Sequence, residues 1–299
     1  MNFVYVLAPH ENWIIDRLTE EWYADNADIS IRHINNCDVI WLFGGWCYKN
    51  VERNLLKQRK VITTIHHVVP EKFTASKIEE FYDRDIITDV YHVPNVNTAD
   101  FVRQYTKKRI EIIPYWANQN VWKKTGSKNE LREKYRIPAN AYVIGSFQRD
   151  TEGYDLRSPK LEKGPDLFVE YVKAMKLKLG NVFVLLSGWR REYVINRLRK
   201  ENIEYAYIEN PPLSTINELY QVLDIYPVTS RYEGGPQSLI EAGLLQIPVV
   251  SRDIGMARVV LSEAAINNDV TLAQPEIPNV SNLLLPHGYD KYRKLIESL

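Results

Sequence analysis

The sequence predicts an α/β protein with two open, mainly parallel sheets in tandem. Short apolar runs alternate with longer amphipathic runs along the chain, which is typical of repeated strand–helix–strand units. A chain of 299 residues is longer than most domains that are built around a single hydrophobic core, so two domains are expected. A polar, lysine-rich stretch at 118–129 interrupts the alternation, and we place the linker there, between domains over 1–121 and 122–282.

The charge balance argues against a nucleic-acid partner. Lys plus Arg and Asp plus Glu both number 38, so the net charge is zero and no overall field attracts a polyanion. Basic clusters at 107–109 and 123–128 are typical of solvated surface, although an anionic membrane or substrate would also fit them.

The two cysteines and the apolar runs indicate where in the cell the protein is expected. Cys37 and Cys47 have neither CxxC spacing nor a histidine at ligand spacing, so we expect buried free thiols rather than a zinc site or a disulfide framework. The first apolar run, 3–7, lacks the basic flank of a signal peptide, and no run approaches the ~20 residues that span a bilayer. We expect a cytoplasmic protein, and a peripheral contact with the inner face of a membrane stays open.

The first domain is expected to contain five strands with helices between them. Short apolar runs predict the strands at 3–8, 38–43, 60–66, 88–93 and 110–113. Trp13, Ile14, Arg17 and Leu18 have helical spacing and predict a helix over 11–23. In that helix we place Trp13 in the core.

The second domain repeats this pattern. Its strands are predicted at 141–147, 181–187, 203–208, 222–228 and 247–251. The clearest helix covers 165–178, because its apolar residues recur at i, i+3, i+4 and i+7; others are expected near 190–200, 236–245 and 289–299. Ligands of such sheets bind at the carboxyl ends of the strands, so the loops there are the places to look for a site.

One loop of the second domain carries most of the chemical information. A buried strand near Val228 is followed by Glu233 and the pair Gly234-Gly235, and Pro236 is expected at the first helical position. The two glycines let the backbone N–H groups approach an anion, and the positive end of the helix dipole points the same way. The segment therefore predicts a phosphate site.

Two carboxylates flank that phosphate site. Glu233 lies in the turn, and Glu241 lies about 7–8 Å along the helix from Pro236, at 1.5 Å per residue. A nucleotide-diphosphate sugar has hydroxyl groups at both ends and two phosphates between them. One carboxylate for the sugar hydroxyls and one for the ribose hydroxyls match that ligand.

These residues also carry a family resemblance. Glu233 and Glu241, within their Glu-Gly-Gly-Pro and Glu-Ala-Gly surroundings, resemble the E-x7-E motif of retaining family-4 glycosyltransferases. The flanking 230–232 and the strand at 248–250 are similar to the same family's surroundings, and the resemblance covers 140–260 well and the first domain only loosely. It implies the GT-B fold, which is two Rossmann-like domains facing a cleft, with a tail helix over 283–299 that returns to the first domain.

The resemblance also implies roles for individual residues. Glu233 would contact the transferred sugar near the reaction centre, and Glu241 would hold the ribose. The family has an arginine after the first strand of this domain and a Lys-Gly pair that opens the next helix, both on the donor diphosphate. Here these are Arg149 and Lys163-Gly164, separated by an insert at 150–162 that departs from the family pattern. Two further residues complete the donor-side expectations: Arg157, the alternative to Arg149, and Arg231, beside the glycine turn.

The first domain offers weaker candidates for the acceptor side. Similar enzymes have a histidine at the end of the strand that here terminates in His66 and His67, although a structural histidine is about as frequent there. Trp46, after Gly44-Gly45, and Trp116 could stack on a sugar ring, but packing is the commoner role of tryptophan. The loop at 8–13 contains no glycine, in contrast to the family's glycine-rich loop.

The predicted reaction is a metal-independent, front-face glycosyl transfer with retention of configuration. No side chain is an evident covalent nucleophile, and no Asp-x-Asp stands at a strand end, so neither a metal nor another cofactor is implied. The expected partners are a nucleotide sugar and a hydroxyl acceptor, by analogy with the family a glycan or a lipid-linked precursor. A nucleotide-sugar epimerase and a non-catalytic sugar-nucleotide-binding protein stay open, whereas a dehydrogenase is disfavoured because no G-x-G-x-x-G follows a strand.

Overall fold

A computed structural model of the chain describes residues 2–11 and 14–299. The chain divides into two compact units, one running up to Trp116 and taking in Leu285–Leu299, the other Ala117–Leu284. The sequence-based boundaries stand at 121/122 and 282/283. The core position predicted for Trp13 lies outside the described residues.

The first unit is built on a five-stranded parallel sheet in the order β1-β2-β3-β4-β5. Its strands are β1 Val4–Leu7, β2 Val39–Leu42, β3 Lys60–Thr64, β4 Val90–Val93 and β5 Arg109–Ile112. Its helices are α1 Ile14–Asp25, α2 Arg53–Gln58, α3 Ala75–Asp85, α4 Val96–Val102 and, from the end of the chain, α11 Asp290–Glu297. Strands β2 and β4 are buried along their whole length, as expected for a sheet covered on both faces.

The tail helix α11 belongs to the aromatic core of the first unit. Tyr292 is 1% exposed, and its ring lies 5.3 Å from that of Trp41 and 5.4 Å from that of Trp116. Its hydroxyl donates to the carbonyl oxygens of Ile113 and Pro114 at 3.3 and 3.1 Å. The tail therefore supplies core side chains to the first unit.

The second unit contains a parallel sheet of three strands, a parallel pair of strands and a short antiparallel pair. Its strands are β6 Tyr142–Ser146, β7 Thr151–Glu152, β8 Ser158–Pro159, β9 Val182–Gly188, β10 Glu204–Glu209, β11 Tyr226–Val228 and β12 Val249–Ser251. Its helices are α5 Lys128–Lys134, α6 Pro165–Leu179, α7 Glu192–Lys200, α8 Leu213–Gln221, α9 Gln237–Leu245 and α10 Ala257–Val260. A bridge between Ile144 and Ile225 joins β6 to the β11-β12 pair, so the strands lie in the order β10-β9-β6-β11-β12.

This order creates a topological switch point between β6 and β11. The chain runs from β6 outward through β9 to β10, and then returns to the other side of β6 for β11 and β12. Ligands of open α/β sheets bind outside the carboxyl ends of the strands at such a point. The loops that begin at Phe147 and Thr229 leave the sheet there.

Two local predictions needed correction, and the insert has a structure that the sequence did not predict. The strand predicted at 222–228 begins only at Tyr226, because α8 extends to Gln221 and a turn follows. Pro236 caps α9 rather than occupying its first position, and the helix begins at Gln237. The insert at 150–162 folds as the small β7-β8 antiparallel hairpin followed by a 3₁₀ turn at Leu161–Lys163.

Cys37 and Cys47 are buried and free, and burial raises the pKa of both thiols.

Within the described ranges 2–11 and 14–299, no helix has the length and apolar character that crossing a bilayer requires.

Candidate active site

The turn that contains Lys163 packs closely against the end of β11 at the switch point. Gly164 has a φ of 60°, and a Cβ at this position would lie 2.0 Å from the carbonyl oxygen of Thr229. The Thr229 hydroxyl in turn donates to the Gly164 carbonyl at 3.0 Å. Only glycine permits both the left-handed backbone and this approach, so Gly164 fixes the position of the lysine before it.

The predicted pair Lys163 and Glu233 is brought into direct contact. The Lys163 ammonium lies 2.6 Å from Glu233 Oε1, and the two side chains are 18% and 13% exposed. The Ser230 hydroxyl donates to the same oxygen at 2.9 Å. A cation and a hydroxyl therefore hold the Glu233 carboxylate at the carboxyl end of β11.

Gln148 connects the loops that follow β6 and β11. Its amide nitrogen donates to the Lys163 carbonyl at 2.8 Å, and its amide oxygen lies 3.2 Å from the Ser230 hydroxyl. Neither Gln148 nor Ser230 was predicted as a functional residue, because nothing in the sequence distinguishes them from ordinary polar loop residues. The proximity of the two loops in the fold reveals them.

The two arginine candidates for the diphosphate lie on or beside the insert. The Arg149 guanidinium lies 5.5 Å from the centre of the Trp189 ring, and its Nε donates to the Thr151 carbonyl at 2.8 Å. Arg157 is exposed at the tip of the β7-β8 hairpin, where Asp155 accepts its backbone N–H. The role predicted for either arginine on a donor phosphate stays a prediction, and Arg149 lies nearer to the switch point along the chain.

Arg231 is engaged by α6. Its guanidinium donates to both carboxylate oxygens of Asp166, at 2.8 and 2.6 Å, and to the carbonyl of Leu161 at 2.8 Å. This paired arrangement joins the loop after β11 to the first turn of α6. The donor contact predicted for Arg231 stays a prediction, and the contact with Asp166 is the one that its fork of N–H groups makes here.

The glycine turn before α9 is packed beneath the loop that follows β12. Gly255 has a φ of 53°, and a Cβ there would lie 2.6 Å from the Gly234 carbonyl oxygen and 2.8 Å from Pro236 Cδ. Gly255 was not predicted from the sequence, since an isolated glycine after a strand is common. Its close approach fixes the backbone of Gly234-Gly235 at the amino end of α9.

Glu241 lies on the buried side of α9, about one turn into the helix. It is 8% exposed, and the hydroxyl of Tyr220 donates to its Oε2 at 2.8 Å. A carboxylate so placed can accept hydrogen bonds from a polyhydroxylated ligand. The ribose contact predicted for Glu241 stays a prediction, and Tyr220 is a further residue that the sequence did not single out.

A buried ion pair fastens the insert to the sheet. Arg191, which is 0% exposed, lies 2.9 Å from Asp150 Oδ2 and donates to the carbonyl oxygens of Ser146 and Ser187 at 2.5 and 2.8 Å. Burial raises the pKa of Asp150, although Arg191 acts in the opposite direction. The pair holds the start of the insert against the carboxyl ends of β6 and β9.

The acceptor-side candidates of the first unit differ in their surroundings. His66 Nε2 lies 2.8 Å from the Phe43 carbonyl, and its Nδ1 is hydrogen bonded to the Tyr115 hydroxyl. Burial lowers the pKa of His66 to about 3, so the ring is neutral, and both nitrogens are engaged within the unit. Trp46 is 41% exposed, whereas Trp116 is 1% exposed and donates to Glu21, so the stacking role considered for Trp116 is wrong.

In the part of the chain that the structure describes, residues 2–11 and 14–299, no three His, Cys, Asp or Glu side chains are grouped so that they could hold a metal ion.

Residues 156–280, which include Lys163, Glu233 and Glu241, match the family model described as Glycosyl transferases group 1. No curated protein sequence matches the chain. The family match therefore includes Lys163 and the loop after β11, but not the start of the loop after β6, and it covers less than half of the chain.

Solved structures resemble nearly the whole chain. Anabaena HepE in complex with UDP-glucose has a TM-score of 0.69 at 14% identity, covering 91% of this chain and 87% of that one. Sucrose-phosphate synthase from Thermosynechococcus elongatus has a TM-score of 0.58 at 14% identity, covering 98% and 76%. A mutant of S. aureus TarM in complex with fondaparinux, alpha-GlcNAc-glycerol and UDP has a TM-score of 0.56 at 17% identity, covering 87% and 48%. These likenesses establish the predicted GT-B fold.

Proposed function

We propose that this chain, a glycosyltransferase with the GT-B fold, moves a sugar from a nucleotide-diphosphate sugar to a hydroxyl acceptor with retention of configuration and without a metal ion. The observation that carries the proposal is the 2.6 Å contact between Lys163 and Glu233 at the switch point. In this contact Lys163 supplies the cation that a diphosphate requires, and Glu233 supplies a carboxylate that can accept hydrogen bonds from sugar hydroxyls. Because several similar structures contain UDP or UDP-glucose, uridine diphosphate sugars are the first donors to test.

Lys163 and the amino end of α9 are the proposed diphosphate site. The lysine is held in place by the Gly164 turn, and the Gly234-Gly235 backbone is held by the loop at Gly255. A diphosphate carries more negative charge than the Glu233 carboxylate, so it competes with Glu233 for the ammonium group. Backbone N–H groups at a helix amino end stabilise the same anion.

The transfer requires no group beyond these side chains and the substrates. The bond between the sugar C1 and the diphosphate oxygen breaks, and a bond from the acceptor oxygen to C1 forms on the same face. The acceptor proton passes to the departing phosphate oxygen, while Lys163 and the helix amino end stabilise the charge that develops there. Glu233, held by Ser230, orients the hydroxyls of the transferred sugar.

The first test uses slow hydrolysis of the donor, because water can replace the unidentified acceptor. The purified chain is incubated with UDP-glucose, release of UDP is followed, and the first anomer of glucose to appear is read by NMR. We expect α-glucose first, and an unchanged rate after treatment with EDTA. Release of β-glucose first would overturn retention, and loss of activity in EDTA would overturn metal independence.

Lys163→Ala should lower the hydrolysis rate by roughly 100-fold, because a charge-stabilising group at the leaving oxygen is lost. Lys173→Ala is the matched control, since Lys173 lies on α6, the helix that follows Lys163, and pairs with Glu170 at the surface. We expect the control to hydrolyse the donor at the wild-type rate. Equal rates for the two variants would contradict the proposed site.

Glu233→Gln distinguishes the remaining alternatives. A transferase binds UDP and loses turnover in this variant, whereas a non-catalytic binding protein binds UDP without hydrolysing UDP-glucose even in the wild-type chain. An epimerase converts the sugar while it stays attached to UDP. The acceptor that we propose, a glycan or lipid-linked precursor, is then sought by adding such hydroxyl compounds and measuring faster UDP release.

A further inference from the structure

Tyr220 makes a buried contact with the Glu241 carboxylate inside the second unit. Its side chain is 1% exposed, and its hydroxyl donates to Glu241 Oε2 at 2.8 Å. Burial and the Glu241 charge raise the pKa of Tyr220 well above its ordinary value, so the phenol keeps its proton and acts as the donor. A hydrogen bond from a hydroxyl to an ionised carboxylate is about twice as strong as one between neutral groups.

The tyrosine ring is held by other aromatic rings. The centre of its ring lies 4.8 Å from that of Phe147, 5.3 Å from that of Tyr226 and 5.8 Å from that of Trp122. Phe147 directly follows β6, and its backbone N–H donates to the Tyr226 hydroxyl at 3.0 Å. The cluster therefore ties Tyr220 to the end of the strand at which the switch point begins.

The end of α8, which carries Tyr220, is fixed to the sheet as well. A Cβ on Gly145 of β6 would lie 2.4 Å from Leu223 Cδ1, so β6 and the turn after α8 are in close contact. The buried Arg132 donates twice to the Val222 carbonyl, at 3.1 and 3.0 Å. Backbone and ring are thus both held, and the hydroxyl has little freedom to leave Glu241.

We propose that Tyr220 is a positioning residue that fixes the Glu241 carboxylate to accept hydrogen bonds from the ribose hydroxyls of the donor, an inference that rests on the proposed function. A carboxylate has about four acceptor positions, and the tyrosine occupies one of them. This contact fixes the rotation of the carboxylate about its last bond. The remaining positions then point in directions that do not change between the empty and the occupied site.

The test compares two nucleotides in the full chain. Wild type and Tyr220→Phe are titrated with UDP and with 2′,3′-dideoxyuridine diphosphate, which lacks both ribose hydroxyls. We expect Tyr220→Phe to weaken UDP binding by about tenfold, the effect of one hydrogen bond to a charged group, and to change binding of the dideoxy compound less than about twofold. A merely structural tyrosine would affect both nucleotides equally.

Two further variants control the comparison. Tyr171→Phe removes another buried tyrosine hydroxyl, in α6 within the core of the same unit, and should bind both nucleotides like wild type. Tyr220→Phe combined with Glu241→Ala should bind UDP no more weakly than Glu241→Ala alone, because the tyrosine acts through the glutamate. Thermal unfolding of each variant shows whether it is folded before it is titrated.

The outcomes separate this inference from the function on which it rests. Equal weakening of both nucleotides, or no weakening of either, overturns the positioning role while nucleotide binding by the wild-type chain still supports the proposed function. Failure of the wild-type chain to bind UDP, GDP or ADP overturns the proposed function and this inference together. Additive losses in the double variant also overturn the inference.

Discussion

His92, in strand β4, has both ring nitrogens hydrogen bonded and is 0% exposed. Its Nε2 lies 2.9 Å from the Ile113 carbonyl, and its Nδ1 lies 3.0 Å from the Thr64 hydroxyl, which accepts the Trp41 indole N–H at 2.8 Å. One arrangement of hydrogen atoms satisfies each of these donors and acceptors. In it the Trp41 indole N–H donates to the Thr64 oxygen, the Thr64 hydroxyl donates to His92 Nδ1, and His92 Nε2–H donates to the Ile113 carbonyl. The ring is therefore neutral, and burial lowers the pKa of His92 to about 4.

This neutral histidine predicts that the first unit loses stability in acid. The unfolded chain binds a proton below a pKa of about 6.5, whereas folded His92 does so only near pH 4, so stability falls as the pH drops between those values. The expected slope is about 1.4 kcal/mol per pH unit for each such histidine. Urea unfolding, followed by near-ultraviolet circular dichroism, measures it at pH 7, 5.5 and 4.5.

His92→Gln is the comparison, because glutamine does not titrate. His66, whose pKa is also lowered, to about 3, remains in this variant and contributes its own slope. We therefore expect a smaller dependence on pH in the variant than in the wild-type chain, whatever the variant's stability at pH 7. The same slope in both proteins would show that His92 is not the group responsible.

Single residues of the site differ in how well the sequence predicts them. Glu233 was predicted from a turn that opens a helix, and Lys163 was implied by the family resemblance through its Lys-Gly pair. Gln148, Ser230 and Tyr220 were missed because each acquires its role only when two distant loops or helices meet. A side chain's chemical type is visible in the sequence, and its partner across the fold is not.

At the scale of elements, the turn at Gly164 couples α6 to the site. The sequence predicts α6 from its apolar spacing, but not the β7-β8 hairpin that precedes it. The two strands of this hairpin have two residues each, too few for any periodicity to appear. The buried contact of Asp150 with Arg191 holds the hairpin, and such a pair joins residues 41 apart in the chain.

Gly164→Ala should displace this turn. A Cβ there would lie 2.0 Å from the Thr229 carbonyl oxygen, so the backbone must move and Lys163 loses its place beside Glu233. We expect donor hydrolysis to fall at least about tenfold, and unfolding of the second unit to require about 3 kcal/mol less. UDP release and urea unfolding measure the two effects.

Gly180→Ala is a matched control at the other end of α6. Gly180 has a φ of 75°, but a Cβ there would meet no atom within 4 Å. It carries the backbone strain of a positive φ without the collision, so we expect a cost of about 1–3 kcal/mol and wild-type hydrolysis. If the two variants lost activity equally, the close approach at Thr229 would not be the cause.

At the scale of the whole molecule, the proposed donor site and the aromatic core belong to different units. The proposed donor residues, from Gln148 to Glu241, all belong to the second unit, and the aromatic core with the tail belongs to the first. The sequence predicts both sheets because buried parallel strands are short, apolar and separated by helices. That the tail joins the first unit was implied by the family resemblance, since the pattern of one amphipathic helix does not say which core it completes.

Tyr292→Ala should destabilise the first unit alone. The substitution removes a ring that packs between Trp41 and Trp116, and burial lost at such a site typically costs 3–5 kcal/mol, so we expect about that loss in urea unfolding followed by near-ultraviolet circular dichroism. Tyr292→Phe keeps the ring and loses only the bonds to the carbonyls of Ile113 and Pro114, for about 1 kcal/mol.

UDP binding is measured under conditions in which the first unit of each variant is folded. Both variants should then bind UDP within about twofold of wild type, because the proposed donor contacts lie in the second unit. A loss of UDP affinity that follows the loss of stability would instead assign part of the donor site to the first unit.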